Sequence, residues 1–262
     1  MAKDPERFSN HKMVSQYTYS THALPSPGTS TSPPPDLASI ARRYADLRLE
    51  ALLTSPTAFA SSHEIESKLA SEAWAERVWR NDAVVLVCVA HLATESNQSH
   101  GLLDGEWVGS AILRGPMPGH EYALRPDHDA PPFGSDEEET KWQMTAVFAS
   151  AAHRGHGIGK KLIQAGKDFA MAQTSNPSSG LVLRPAKVRL RVLIHPDNLV
   201  VLALYSATGF TDVARTTGQE AYRTNGDLAL WDLKLQSLTD DMKVYWKTAK
   251  VAVVMEWLGE IP

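Results

Sequence analysis

The run Arg154-Gly155-His156-Gly157-Ile158-Gly159-Lys160-Lys161 places three glycines at alternate positions and closes on two lysines. It follows an apolar extended run, Met144 to Ala149, and opens a helical pattern carrying Leu162, Ile163, Ala165 and Phe169. A glycine-rich turn between a strand and a helix gathers backbone N–H groups at the helix N-terminus, where the helix dipole is positive. Without a Cβ at Gly157 or Gly159, an anion can approach the main chain closely. The chemistry expected of this loop is phosphate or pyrophosphate binding. A P-loop is excluded, because Gly159-Lys160 is followed by Lys161 rather than a hydroxyl that could reach magnesium. A dinucleotide fingerprint is excluded as well: the spacing is Gly155-x-Gly157-x-Gly159, and the strand-like run Val188 to Ile194 offers arginines instead of an acidic ribose ligand.

A second constellation lies downstream of that run. Asn198 stands seven residues before Tyr205 in a Leu204-Tyr205 pair, and Gly209-Phe210 closes the segment. The spacing Arg154-x-x-Gly157-x-Gly159, followed in order by this second pattern, resembles the GNAT family, the Gcn5-related N-acetyltransferases. The resemblance covers roughly residues 37–235. A looser likeness to one branch of the family lies in Arg48-Leu49-Glu50-Ala51-Leu52 and Ser55-Pro56-Thr57-Ala58-Phe59.

The resemblance implies an α/β (α+β) fold: a mixed, mostly antiparallel sheet with helices on both faces. The two central strands, ending near Ala149 and Ile194, splay to admit the pantetheine arm of acetyl-coenzyme A. It implies that Arg154, Gly155, His156, Gly157, Ile158, Gly159 and Lys160 hold the cofactor. A backbone N–H near Phe148, Ala149 or Ser150 would stabilise the oxyanion, a contribution typically worth ~3 kcal/mol. Asn198 would hydrogen-bond the pantetheine arm, or cap a helix, or both. Tyr205 would protonate the leaving thiolate, its phenol pKa of about 10 suiting donation at neutral pH; alternatively its ring packs on the sheet. Lys160 and Lys161 either add charge near the phosphates or are simply solvated. Arg154 either shapes the turn or touches the ligand.

The general base is not legible. The strand before the loop, Trp142 to Phe148, carries no carboxylate, where many family members place a glutamate. Glu139 lies just before it within an acidic run, His195 ends the neighbouring strand, and Glu50 sits on the first helix; each also has an ordinary surface role. His153 and His156 are three residues apart with no third ligand nearby, so no metal is expected; His120 and His128 belong to another loop.

Composition sets the outer bounds. The chain of 262 residues is 43% hydrophobic and 21% charged, values of a globular protein long enough to bury a substantial core. A formal net charge of −4 gives no reason to expect nucleic acid or an anionic membrane as partner. The single cysteine, Cys88, lies in the apolar run Ala83 to Ala90, where a buried structural thiol is expected. No apolar run is long enough to span a bilayer and no signal-peptide core is visible. A cytoplasmic protein is expected, with the nucleus left open.

The elements that must position these residues follow in order. Residues 1–36, poor in large apolar side chains and ending in a Pro/Ser-rich stretch, predict a mobile tail, with Tyr17 and Tyr19 leaving open a partial docking. Asp36 predicts an N-cap for a helix with stripe Leu37, Ile40, Tyr44, Leu47 and Leu52, and Ser67 to Asn81 predicts another. Ala83 to Ala90 and Trp107 to Leu113 predict a hairpin joined by a polar connection containing Asn97, Gln98 and Ser99. Gly115 to Thr140 reads as a long proline-rich, acidic loop, and Gln173 to Ser179 as a second polar insertion. A last strand is predicted over Leu228 to Leu235. Residues 236–262 predict a helical extension that packs on the domain or on a second copy. The catalytic domain is expected over 37–235.

The function expected from all this is acetyl-coenzyme A-dependent N-acetyl transfer to a small or amino-acid-like primary amine, directly within a ternary complex. Protein or peptide acetylation is the alternative substrate class. A non-catalytic acyl-coenzyme A sensor is the alternative role.

Overall fold

The computed structural model describes residues 16–93, 101–176 and 185–261. Runs rich in β-branched and aromatic residues form β1 (Tyr17–Ala23), β2 (Ala83–Leu92), β3 (Glu106–Met117), β4 (Glu139–Ala149), β5 (Lys187–Ile194), β6 (Thr211–Thr216) and β7 (Ala252–Glu260). These make one sheet in the order β1-β2-β3-β4-β5-β7-β6. Every neighbouring pair is antiparallel except β4 and β5, which run parallel.

The helices are α1 (Leu37–Thr54), α2 (His63–Glu66), α3 (Ser71–Val78), α4 (Gly119–Tyr122), α5 (Ile158–Ser175), α6 (Leu199–Ser206), α7 (Gly218–Asn225), α8 (Leu228–Gln236) and α9 (Asp240–Thr248). Strand periodicity divides the core in two. Along β2, Val84, Leu86 and Cys88 face α5, while Val85, Val87 and Val89 face α1 and α3. Helices therefore cover both faces, and β2 must be apolar throughout. Cys88 is wholly buried, and that burial pushes its thiol pKa up to about 11. It is a packing residue.

The feature that organises the site is the parting of β4 from β5. Their ladder runs from Glu139 opposite Lys187 to Gln143 opposite Arg191 and goes no further. Beyond it β5 stays bonded to β7 as far as Ile194 opposite Val253. β4 stays with β3 but bulges, with Ala146 at φ 52 and the register slipping between Ser110 and Ile112. Below the fork the strands are locked by charge. Arg191, 1% exposed, donates through Nε and Nη2 to Gln143 Oε1 and through Nη1 to the Tyr122 carbonyl, with Tyr122's ring against its guanidinium. Arg189 joins Glu139 to Glu256 across three strands.

Several expectations are corrected. The tail expected to be mobile through residue 36 contains β1, whose alternating Tyr17 and Tyr19 pair with β2, and Leu24 behind it is 1% exposed. Residues 115–140 are not one loop: β3 runs on to Met117, α4 follows, and β4 begins at Glu139. Leu228–Leu235 is helix α8 rather than a strand. The helical extension expected over 236–262 is α9 followed by β7, which inserts between β5 and β6. β7 pairs within the sheet on both edges, so of the two alternatives for this segment it is packing on the domain that β7 shows. β6 and α7 are elements that periodicity did not suggest. The polar connection at 97–99 and the end of the second insertion lie outside the described residues.

Candidate active site

The glycine loop is where the sequence places it, between β4 and α5. Gly155 and Gly157 have φ of 83 and 76, a region where a side chain strains the backbone. A Cβ built on either meets no protein atom within 4 Å, so backbone shape and not crowding by protein demands glycine there. Gly159 serves another purpose. A Cβ there would lie 3.0 Å from Leu204 Cδ2, so its absence lets α6 pack on the first turn of α5. The two sequence constellations meet at this contact.

Lys161 N–H, bonded to the Gly157 carbonyl, is the first amide that helix α5 satisfies. The amides of Ile158, Gly159 and Lys160 are thus the free donors of a helix start, and those of Gly155, His156 and Gly157 precede them on the turn. Ile158's side chain is buried in the core, leaving only its N–H for a ligand. Lys160 and Lys161 are exposed. His156 turns its Nδ1 back onto the carbonyls of His153 (3.2 Å) and Arg154 (3.1 Å). Arg154 reaches the Ala149 carbonyl and Ser55 Oγ, both at 3.4 Å, tying the loop to the end of β4 and to the turn after α1. The loop's underside rests on β1: His153, 5% exposed, lies within 3.1 Å of the Tyr19 hydroxyl, and the Tyr17 ring meets it edge-on.

At the fork, the three expected oxyanion positions separate. Ser150 N–H donates to the Val108 carbonyl at 2.8 Å, so it is committed to β3. Strand amides alternate in direction, which turns the Phe148 N–H the same way and the Ala149 N–H into the gap. Phe148's ring packs towards α1 beside Phe59. Ser150 Oγ donates to Glu50 Oε1 at 2.7 Å, which fixes Glu50 beside the end of β4. Across the gap, Asn198 caps α6 by accepting from Val201 N–H at 3.3 Å. Tyr205, 3% exposed, packs edge-on against Phe210; burial holds its phenol pKa well above the ordinary value, so it stays protonated. Among the described residues its hydroxyl has no hydrogen-bond partner.

The other candidate bases are poorly placed. Glu139 is bonded to Arg189 and to Gly134 N–H at the far end of β4, about 30 Å from Ala149 at ~3.3 Å per residue. His195 is exposed, and its Nδ1 accepts from Asp197 N–H at 3.3 Å within a turn.

A cavity of about 280 Å³ opens on the gap from the other direction, its floor made by Met144, Thr145, Ala146 and Leu193. Tyr44 and Arg48 of α1, Glu66 of α2 and Arg77 of α3 line one side of it. Asn225, Asp227 and Leu230 add a wall from the α7–α8 corner, of which the sequence reading had placed Leu230 in a strand. Asn225-Gly226-Asp227 is a turn signature that could have located the corner, with Gly226 at φ 79. Nothing local could have shown that it folds over the fork. Gln143 Nε2 donates to Asn225 Oδ1, fastening this corner to the last paired residue of β4. Asp227's carboxyl makes no hydrogen bond or ion pair among the described residues, and burial raises its pKa against the lowering pull of Arg114 and Arg48.

Residues 63–177 match the family described as Acetyltransferase (GNAT) family. That stretch takes in α2 to α5 and the glycine loop. No curated protein matches the sequence. Solved structures similar to it include a GNAT-family acetyltransferase from Streptococcus pneumoniae, at 12% identity over 92% of this chain and 100% of that one, with TM-score 0.49. NAA60 of Arabidopsis thaliana in complex with a bisubstrate analogue is 14% identical over 94% of this chain and 100% of that one, with TM-score 0.44. A ribosomal-protein-alanine N-acetyltransferase from Brucella melitensis is 17% identical over 86% and 94%, with TM-score 0.41. Likenesses this distant say nothing about the acceptor of this chain. Among the described residues no helix is long and apolar enough to cross a membrane, and no group of three His, Cys, Asp or Glu side chains is placed to hold a metal.

Proposed function

We propose that this chain is an acetyl-coenzyme A-dependent N-acetyltransferase that passes the acetyl group directly to the primary amine of a small, amino-acid-like acceptor. The observation that carries the proposal is the fork itself. The parted strands lie between a loop of free amides at the end of β4 and a cavity lined by Thr145, Ala146 and Leu193.

The loop suits a pyrophosphate, since its amides from Gly155 to Lys160 converge at a helix N-terminus and the space beside Gly155 and Gly157 is clear. When bound, acetyl-coenzyme A would supply an activated thioester. The chain's residues then have separable tasks. Ala149 N–H donates to the carbonyl oxygen as negative charge grows on it, and Tyr205 Oη delivers its proton to the departing sulfur. Asn198, already fixed as a helix cap, turns its remaining amide N–H towards the pantetheine arm. Arg154 acts as the strut of the loop. Removal of the amine's proton falls to Asp227 or to water beside the Glu50–Ser150 pair.

A cavity of 280 Å³ sits at the small end of ligand pockets, roughly 300–1,000 Å³, and favours a small acceptor over a peptide chain. The sensor reading keeps one observation in its favour, the absence of a carboxylate on β4. Thiol release from acetyl-coenzyme A across a panel of amines, amino acids and short peptides separates the two. Turnover with any one class establishes the enzyme; cofactor binding without turnover across the panel supports the sensor.

A further inference from the structure

The cavity over the fork is lined by four guanidinium groups, Arg48, Arg77, Arg80 and Arg114, against two carboxylates, Glu66 and Asp227. Neutralisation inside this set is uneven. Glu66 is gripped by Arg48 through Nε (3.1 Å) and Nη2 (2.8 Å) and by Arg77 (2.8 Å), so one carboxylate serves two cations. Asp82, outside the cavity, takes Arg80 in two short bonds and leaves Arg114 at 3.7 Å. Arg114 otherwise rests on the Thr224 carbonyl. Two of these guanidiniums keep a buried N–H with no acceptor, Nη1 of Arg48 and Nε of Arg114. A buried donor without a partner is costly, and a charged one more so. Asp227 stands in the same wall with no ion pair of its own.

Asp136, Glu138 and Glu139, three members of the acidic run before Thr140, are engaged elsewhere. Asp136 binds Lys141 and Gly119 N–H, Glu138 binds Ser135 N–H, and Glu139 is held by Arg189. The net charge of −4 for the whole chain thus conceals a cavity of opposite sign.

We propose that the acceptor is a zwitterion, an amine carrying a carboxylate, whose carboxylate is taken by Arg48 and Arg114 while its ammonium faces Asp227 and the floor at Thr145 and Ala146. The inference rests on the transferase reading above and names its substrate class. Planar guanidinium donors match a carboxylate, and the apolar portions of the wall, Tyr44, Phe59, Ile112 and Leu230, suit an apolar side chain.

The test compares phenylalanine with phenethylamine and with phenylalanine amide, and leucine with isoamylamine, in two assays. One is thiol release with acetyl-coenzyme A; the other is calorimetric titration of each compound into the protein saturated with coenzyme A. The inference expects the carboxylate-bearing member of each pair to be preferred by about 10- to 100-fold in kcat/KM and in affinity, the range of a hydrogen-bonded charge. The amide is the weaker base and more often neutral, so rejection of it has to come from the lost carboxylate. Arg114→Gln is expected to shrink the preference, and Arg114→Lys to restore part of it, with coenzyme A affinity unaltered.

Equal or better use of phenethylamine, or tighter binding of spermidine than of either amino acid, overturns the inference and leaves the transferase reading standing. Carboxylate-selective binding without thiol release from any compound does the reverse. Absence of selectivity in both assays refutes the zwitterion outright.

Discussion

At the scale of single residues, the site divides between atoms that act and atoms that hold them. Tyr205 is the one side chain at the fork that both matches the second constellation and remains protonated at neutral pH. Replacing it by phenylalanine removes only the hydroxyl. Turnover is expected to fall by about a hundredfold or more, with coenzyme A affinity unchanged, as checked by steady-state kinetics beside calorimetry. Unaltered turnover would show that the thiolate takes its proton from elsewhere.

The loop glycines fail in different ways. Gly157→Ala meets open space but forces alanine to φ 76, at a cost of roughly 1–2 kcal/mol and with distortion of the amides that follow. Coenzyme A affinity is therefore expected to drop more than thermal stability. Gly159→Ala strikes Leu204 at 3.0 Å, so stability is expected to suffer first. Paired melting and binding curves distinguish the two.

Asp227 yields a pH dependence whose sign can be worked out. Burial raises its folded pKa above the unfolded value of about 3.9, so the native state binds the proton more tightly. Its contribution to stability is full below the unfolded pKa and is lost as pH rises through the folded one. Asp227→Asn lacks this loss. The variant's melting temperature relative to wild type is expected to rise between pH 3 and pH 7, and a flat difference would mean that Asp227 is not buried as described.

Between α1, α2 and α3 an ion network lies beside the apolar contact of Tyr44 with Trp74. Glu66 would be pushed up by burial, but its hydrogen bonds to Arg48 and the charges of Arg48 and Arg77 bring it below the ordinary carboxylate range. The stability it contributes is present above the unfolded carboxylate pKa and lost as pH falls through the lowered one. Glu66→Gln leaves Arg48 buried with its charge unpaired, and a loss of about 3–5 kcal/mol in denaturant unfolding is expected. Since Arg48 lines the cavity, the acceptor's KM is expected to change with it. The α7–α8 corner is held more lightly, by the bond between Gln143 and Asn225 and by Arg114 on the Thr224 carbonyl. It is nevertheless the element that completes the cavity wall.

For the whole molecule, the order of strands in space departs most from their order in the chain at β7. The last strand made lies between β5 and β6, and its residues Val253, Val254 and Met255 are buried. Removing residues 252–262 takes away the strand that carries β5 past the fork and leaves β6 without a neighbour. No cooperative unfolding transition is expected from such a chain; a normal one would mean that β5 and β6 can pair directly. β1 at the opposite edge supports the glycine loop through the contacts of Tyr17 and Tyr19 with His153.

The glycine-loop half of the candidate site was legible in the sequence because its geometry depends on local rules. Gly155 and Gly157 must adopt positive φ, the amides after them belong to a helix start, and Asn198 caps the next helix, all within a few residues of chain. The elements α1, β2, β3 and α5 were legible for a related reason, since each buries a face set by its own periodicity. The C-terminal segment was not, because Ala252 to Met255 is apolar on both faces and only its place between two strands makes it β rather than helix. The acceptor side was also hidden. Arg48, Arg77, Arg114 and Asp227 are separated by up to 179 positions in the chain, and each alone reads as a solvated surface charge. Only the tertiary structure, by folding the α7–α8 corner over the parting of β4 and β5, gathered them around one cavity.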